Sequence, residues 1–202
     1  MPRLNTDAKA VLEQTMRRNM RNAVFELLAE KELSSISIAD VAKKIRVSSM
    51  TVYNYYPSRR LLIDDAMNES RRTMTDKLLV TAEQCADPTE RLLALARAVC
   101  EDFEAHRFLF MARFTVVPQD DENASCAKEY FNTIIDCFAS AINDGIRNGI
   151  FRPMNSKFAA MSLLGTLMSF NRHASFNWIS LSVEERLTEI KNIIIEGFKI
   201  RN

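Results

Sequence analysis

The chain has 202 residues and a mass of 23.1 kDa, room for one large or two small domains. With 47% hydrophobic residues it can bury a substantial core, and 4 Gly and 5 Pro are too little punctuation for a run of short strands, so the expected class is all-α. The formal charge of +1 hides a gradient: residues 1–60 carry 11 Lys and Arg against 6 Asp and Glu, a surplus of five, which leaves the remainder acidic by four. A basic end attracts a polyanion, and an acidic remainder is held away from it.

The opening MPRLNTDAKA lacks the apolar run of a secretory leader, and no window approaches the ~18 apolar residues of a membrane span; a cytoplasmic protein is expected. Cys85, Cys100, Cys126 and Cys137 stand singly, without the spacing of a disulfide framework or a zinc site. No metal or cofactor is implied. Two histidines and four glycines assemble no nucleophile–base pair and no phosphate loop, so a binding protein is expected in place of an enzyme.

In chain order, residues 1–8 read as a polar arm, with Arg3 and Lys9 in reach of a nucleic-acid backbone. A helix follows over about Lys9–Lys31, its inner face Met16, Met20, Ala23, Val24, Leu27 and Leu28, with Arg17, Arg18 and Arg21 mostly on the other side. Leu33 to Ile36 forms a link. Ser37 with Asp40 is an acidic capping box, after which Ile38, Val41, Ala42 and Ile45 form one apolar stripe. Ser48 caps a second short helix after a three-residue turn, with Val52 and Tyr56 inward, and Pro57 stops it.

The second helix keeps Ser49, Met50, Thr51, Tyr53, Asn54 and Tyr55 on or near its outer side. No core needs that mixture, whereas a DNA major groove does: Asn pairs with adenine, hydroxyls reach base edges or phosphates, and methyl groups touch thymine. The expected DNA-binding residues are Ser37, Arg46, Ser48, Ser49, Met50, Thr51, Tyr53, Asn54, Tyr55 and Arg59. Tyr53, Tyr55 and Arg59 suit phosphates.

The pattern Ser37-Ile38-x-x-Val41-Ala42-x-x-Ile45-x-Val47-Ser48-x-x-Thr51-Val52-Tyr53-x-Tyr55-Tyr56-Pro57-Ser58-Arg59 resembles the N-terminal signature of the tetracycline-repressor (TetR) family of bacterial regulators. The likeness covers about the first third of the chain. Where that family usually has Gly in the turn, this chain has Arg46, and a left-handed turn there costs roughly 1 kcal/mol, which a phosphate contact can offset. Tyr55 replaces the family's frequent His, and Arg59 its usual Lys. The resemblance implies a helix-turn-helix domain over 1–56 and a helical ligand-binding and dimerisation domain over 57–202, about nine helices in all.

A long helix is expected from Ser58 to about Gln84, carrying Leu61, Leu62, Ala66, Met67, Met74, Leu78 and Leu79 inward; the resemblance makes it a lever between domains. Asp87-Pro88 starts a helix to Ala105. The aromatic segment Phe108–Phe114 precedes an acidic loop, Gln119 to Ser125. A helix over about Asn123–Asn148 ends at Gly149. The last two, about Ser156–Ser175 and Ser182–Ile200, are apolar nearly all round, which suits a two-fold four-helix interface; burial within one subunit is the alternative. Ser162, Gly165, Ser169, Ile190, Ile194 and Phe198 are the expected dimer contacts.

An adaptable apolar ligand site is expected from Met67, Phe103, His106, Phe110, Met111, Phe114, Phe131, Phe138 and Met168, with Trp178 as a further lining residue and His106, Arg113, Asn171, Arg172 and His173 as orienting groups. The expected partners are double-stranded DNA, a small-molecule effector and a second copy of the chain. The function so read is a ligand-responsive, homodimeric regulator, a repressor, on a near-palindromic operator. The alternative is a helical adaptor or architectural protein with a vestigial helix-turn-helix, in which Asn54→Ala leaves DNA affinity unchanged.

Overall fold

The structure, a computed structural model, describes the backbone of residues 6–116, 121–174 and 181–200, and the side chains of all of these but 6–7, 114–115, 121–123 and 171–174. Among the described residues the chain is all-α, in nine helices: α1 (Thr6–Glu30), α2 (Ile38–Lys44), α3 (Ser49–Tyr55), α4 (Arg59–Gln84), α5 (Pro88–Ala105), α6 (Arg107–Thr115), α7 (Asp121–Arg147), α8 (Ser156–Ala174) and α9 (Val183–Ile190). A π-helical turn over Lys191–Ile195 and one further turn, Glu196–Phe198, continue α9. The helical segments expected from periodicity all form. No helix among the described residues is long and apolar enough to cross a membrane.

The chain divides into two compact units, Met1–Arg71 with His106–Ala124, and Arg72–Ala105 with Ser125–Asn202. The first is larger than the segment 1–56 expected from the motif, because it includes the first half of α4 and all of α6. Its core gathers Met20, Val24, Leu27 and Leu28 of α1, Ile38, Val41 and Ala42 of α2, Val52 and Tyr56 at α3, Leu62, Ala66 and Met67 of α4, and Ala112 of α6. Phe108 and Leu109 of α6 pack against the same cluster. Arg71, only 1% exposed, holds α6 by its C-terminal end: Nη2 donates to the carbonyls of Arg113 and Val116, both at 2.9 Å, and Nη1 donates to Asn68 Oδ1 at 3.1 Å. These carbonyls are helix-end acceptors that would otherwise need water.

In the second unit α5 is central, packing on α8 and α9. Leu92, Leu95, Ala96, Val99 and Phe103 of α5, Phe138, Ala141 and Ile142 of α7, Leu163 and Leu167 of α8 and Leu187 of α9 are all buried. α7 ends on Gly149, with φ of +70°, and the chain folds back so that the amides of Ile150 and Phe151 donate to the Gly145 carbonyl at 2.9 and 3.0 Å. Gly145 is required here, since a Cβ would lie 2.1 Å from the Phe151 ring. Arg91 closes the same region, donating to the Cys85 carbonyl at 2.8 Å and Asp144 Oδ2 at 2.6 Å.

Three expectations change. α1 begins at Thr6, inside the proposed arm, whose residues 1–5 lie outside the described residues. α7 begins at Asp121, so most of the acidic stretch placed in a loop is helical. On α4, Leu61 and Leu79 are each 43% exposed, and Ile63 takes an inner position instead.

Candidate nucleic-acid interface

The geometry of α2 and α3 is fixed by local hydrogen bonds. Ser37 Oγ accepts the Asp40 amide at 3.2 Å, and Asp40 Oδ2 accepts the Ser37 amide at 2.8 Å, the reciprocal box expected from sequence. The Ser37 hydroxyl, the Ser37 amide and Lys31 hold the Asp40 carboxyl down at about 2. After Lys44 the helix closes with Arg46 at φ of +58°, so that Arg46 N donates to Lys43 O at 3.3 Å and Val47 N to Ala42 O at 2.9 Å. This is a Schellman closure with an arginine in the position glycine prefers. Ser48 Oγ then accepts the Thr51 amide at 3.0 Å and caps α3.

The exposed face of α3 is narrower than the sequence reading. Met50 is 68% exposed, Tyr53 46%, and Asn54 is also exposed; Ser49, Thr51 and Tyr55 are half-buried. The Ser48 and Thr51 hydroxyls lie 2.9 Å apart and satisfy each other, while Tyr55 packs against its own core. Arg46 projects beside the helix, exposed. Arg59 is held locally: Nε donates to Ile36 O at 2.6 Å and Nη2 to Leu33 O at 2.5 Å, so these two donors secure the turn before α2. The Ile36 carbonyl, and the Leu33 carbonyl that already accepts the Ile36 amide at 3.1 Å, draw the guanidinium in.

Sequence reasoning missed what seats α3. Tyr56, buried at its C-terminal end, donates its hydroxyl to Asp65 Oδ2 of α4, which also accepts Arg21 Nη1 of α1 at 3.0 Å, and the Arg17 guanidinium lies 4.9 Å above the Tyr56 ring. Burial, and then the bond to Asp65, push the Tyr56 hydroxyl up to about 12. Three helices thus meet at one phenol. An Arg at 17 and 21 is visible in the sequence; the Asp65 partner, 44 residues beyond Arg21, is not.

The expected ligand residues are divided between the two units. Met67 and Phe110 are core of the first, where Met111 is half-buried and His106 exposed; Phe103 and Phe138 are core of the second, where Met168 is half-buried and Phe131 reaches the surface at 37%. Arg113 is 1% exposed, with its guanidinium carbon 5.6 Å from the Phe110 ring centre. Phe114, Asn171, Arg172, His173 and Trp178 lie outside the described side chains. Two grooves of the second unit, of about 480 and 460 Å³, are lined by none of the nine. The larger runs along α4, α5 and α9, past Lys77, Cys85, Leu93, Arg97 and Lys191.

On α8, Ser162, Gly165 and Ser169 are exposed in one strip, and Phe158 and Met161 beside them are 72% and 57% exposed. Ile190 and Phe198, expected on an outer face, are instead 1% and 9% exposed in their own unit, and Ile194 is half-buried. Ile190 follows Leu187 on the inner face of α9, and beyond it the π turn resets the pattern. The buried positions run Leu187, Ile190, Ile195 and Phe198, with a spacing of five inserted where an α-helix repeats at three or four, and Ile193 turns outward at 67%.

No protein-family model matches the sequence, and neither does any curated protein. Solved structures do match. A candidate transcriptional regulator from Saccharomonospora viridis, in complex with choline, superposes with a TM-score of 0.83 at 17% identity, over 93% of this chain and 100% of that one. FadR from Bacillus subtilis, in complex with stearoyl-CoA, gives 0.70 at 14%, over 90% and 97%. PfmR from Thermus thermophilus, a TetR family transcriptional regulator, gives 0.70 at 19%, over 90% and 99%. The chain therefore has the fold of the TetR-type transcriptional regulators.

Proposed function

We propose that this protein is a DNA-binding transcriptional regulator that acts as a homodimer on a near-palindromic operator, represses, and is released by a small, largely apolar effector. The observation that carries the reading is the outer face of α3, where Met50, Tyr53 and Asn54 stand in solvent on a helix that is capped, turned and seated by contacts elsewhere. Such a face fits a major groove, with Arg46 and Lys43 beside it for backbone phosphates. Two copies joined through the Phe158–Ser169 strip of α8 would present two such helices to half-sites about 34–36 Å apart. The effector reading is supported by the abundance of Met and Phe in the middle of the chain and by the small molecules named with two structures of the same fold. An effector shifts DNA affinity by ~1–3 kcal/mol in an ordinary allosteric pair.

The test is fluorescence anisotropy of the protein on DNA from upstream of its own coding sequence, at ~150 mM salt with scrambled competitor, because phosphate contacts alone mimic specific binding. The expected preference is ~10³ or more. Equal competition, together with an unchanged affinity in Asn54→Ala, overturns the reading and favours the adaptor.

A further inference from the structure

The chemistry on α3 restricts which base pairs it can read. Guanine is read in the major groove chiefly by Arg or Lys on O6 and N7, and cytosine N4 by Asp or Glu. The sequence of α3, Ser49-Met50-Thr51-Val52-Tyr53-Asn54-Tyr55, holds no cation and no carboxylate. The nearest cations are committed or lie off α3: Arg59 donates to the Leu33 and Ile36 carbonyls, Lys44 pairs with Glu26 and Glu30 of α1 at 3.3 and 3.4 Å, Lys43 belongs to α2, and Arg46 lies in the turn ahead of the Ser48 cap. What α3 does expose is one carboxamide and one thioether. Among the described residues the Asn54 amide makes no hydrogen bond, and Met50 is the most exposed large apolar side chain described in its unit. An exposed carboxamide matches the N6 and N7 edge of adenine, and an exposed thioether matches the methyl of thymine.

Resting on the regulator reading above, we propose that the half-site under α3 is A·T-rich, with Asn54 on an adenine and Met50 on a thymine methyl. Residues 50 and 54 are four apart on one face, roughly 6 Å along the helix, so the two contacts fall one or two base-pair steps apart. Tyr53, whose ring lies on the same side, adds apolar contact without choosing between purines. The specificity comes from two residues, and the cations around them supply affinity only.

The test is selection from a random duplex library at ~150 mM salt, repeated with Asn54→Ala and Met50→Ala. Both residues are on the surface and outside every core contact, so the variants keep the fold. The expected product is a two-fold site whose half-site is dominated by A·T; Asn54→Ala loses about tenfold or more on it and relaxes one adenine. Replacing one thymine by uracil costs the unaltered protein about fourfold, the value of one buried methyl, and costs Met50→Ala nothing. A half-site whose strongest position is a G·C pair, unmoved by either variant, overturns this proposal while leaving the regulator reading intact. No enrichment of any sequence removes both.

Discussion

α3 exposes Met50 and Tyr53 at 68% and 46%, and α8 exposes Phe158 and Met161 at 72% and 57%, so both helices hold large apolar groups in water. Their neighbours differ. On α3 the companions are an unengaged carboxamide and an arginine in a strained turn; on α8 they are Ser162, Gly165 and Ser169, whose small side chains leave the backbone open to close approach. The first surface suits a hydrated polyanion that offers directional acceptors, and the second suits another helix with the same strip. Exposed apolar area alone does not name a partner; the polarity and size of the residues between the apolar ones does.

The comparison breaks most sharply at α8. Phe158→Asp removes an apolar anchor from both sides of the proposed two-fold contact, and self-association should weaken by about 3–6 kcal/mol, read by sedimentation across a concentration series. A monodisperse variant identical to the parent would show that the strip is not an interface.

Gly145→Ala tests the scaffold behind the same unit. Its new Cβ meets the Phe151 ring, which itself packs edge-on against Phe198, so thermal unfolding should show a loss of about 1–3 kcal/mol. DNA affinity per folded molecule should hold, since none of these contacts involves α3.

Tyr56→Phe sharpens the α3 side. Removing the hydroxyl leaves Asp65 with Arg21 alone, and should cost about 1–2 kcal/mol in stability. The pH dependence follows: with the Tyr56 hydroxyl at about 12 in the folded protein and ~10 in the unfolded chain, the contact stabilises fully below pH ~10 and is lost as pH rises through 12. An ultraviolet titration of the parent should contain a phenolate step near 12 that the variant lacks.

Arg46→Gly gives the smallest change, and of opposite sign. Relief of the left-handed arginine should raise stability by about 0.5–1 kcal/mol, while loss of one phosphate contact lowers DNA affinity and makes the salt slope shallower by about one. Tighter binding on removal of that cation would exclude a phosphate role for Arg46.

What was legible in the sequence was local. The Ser37–Asp40 box, the Ser48 cap, the inward pair Val52 and Tyr56, and the left-handed turn at Arg46 are all set within three to five residues, where spacing determines geometry. What escaped it depends on partners far along the chain. Arg59 reads as a surface cation until the carbonyls of Leu33 and Ile36 are found beside it, and Tyr56 reads as an apolar core residue until Asp65 meets its hydroxyl. At the C-terminal end the failure was one of period: Ile190 and Ile194 look equivalent at a spacing of four, and a single π turn gives the inner place to Ile195. Residue type marks Met67 and Phe138 alike, and it carries no information on the different units that hold them.

The first unit is not contiguous in sequence. Its core needs Ala112, and Arg71 closes on the carbonyls of Arg113 and Val116, 42 and 45 residues later. During synthesis, at ~5–20 residues per second, the helix-turn-helix leaves the ribosome seconds before the segment that completes its packing. The nascent chain thus waits with one side of its core open and the carbonyls that Arg71 closes on still to be made. A fragment cut anywhere between residues 72 and 106 would keep the whole motif yet lack the helix that finishes the unit holding it.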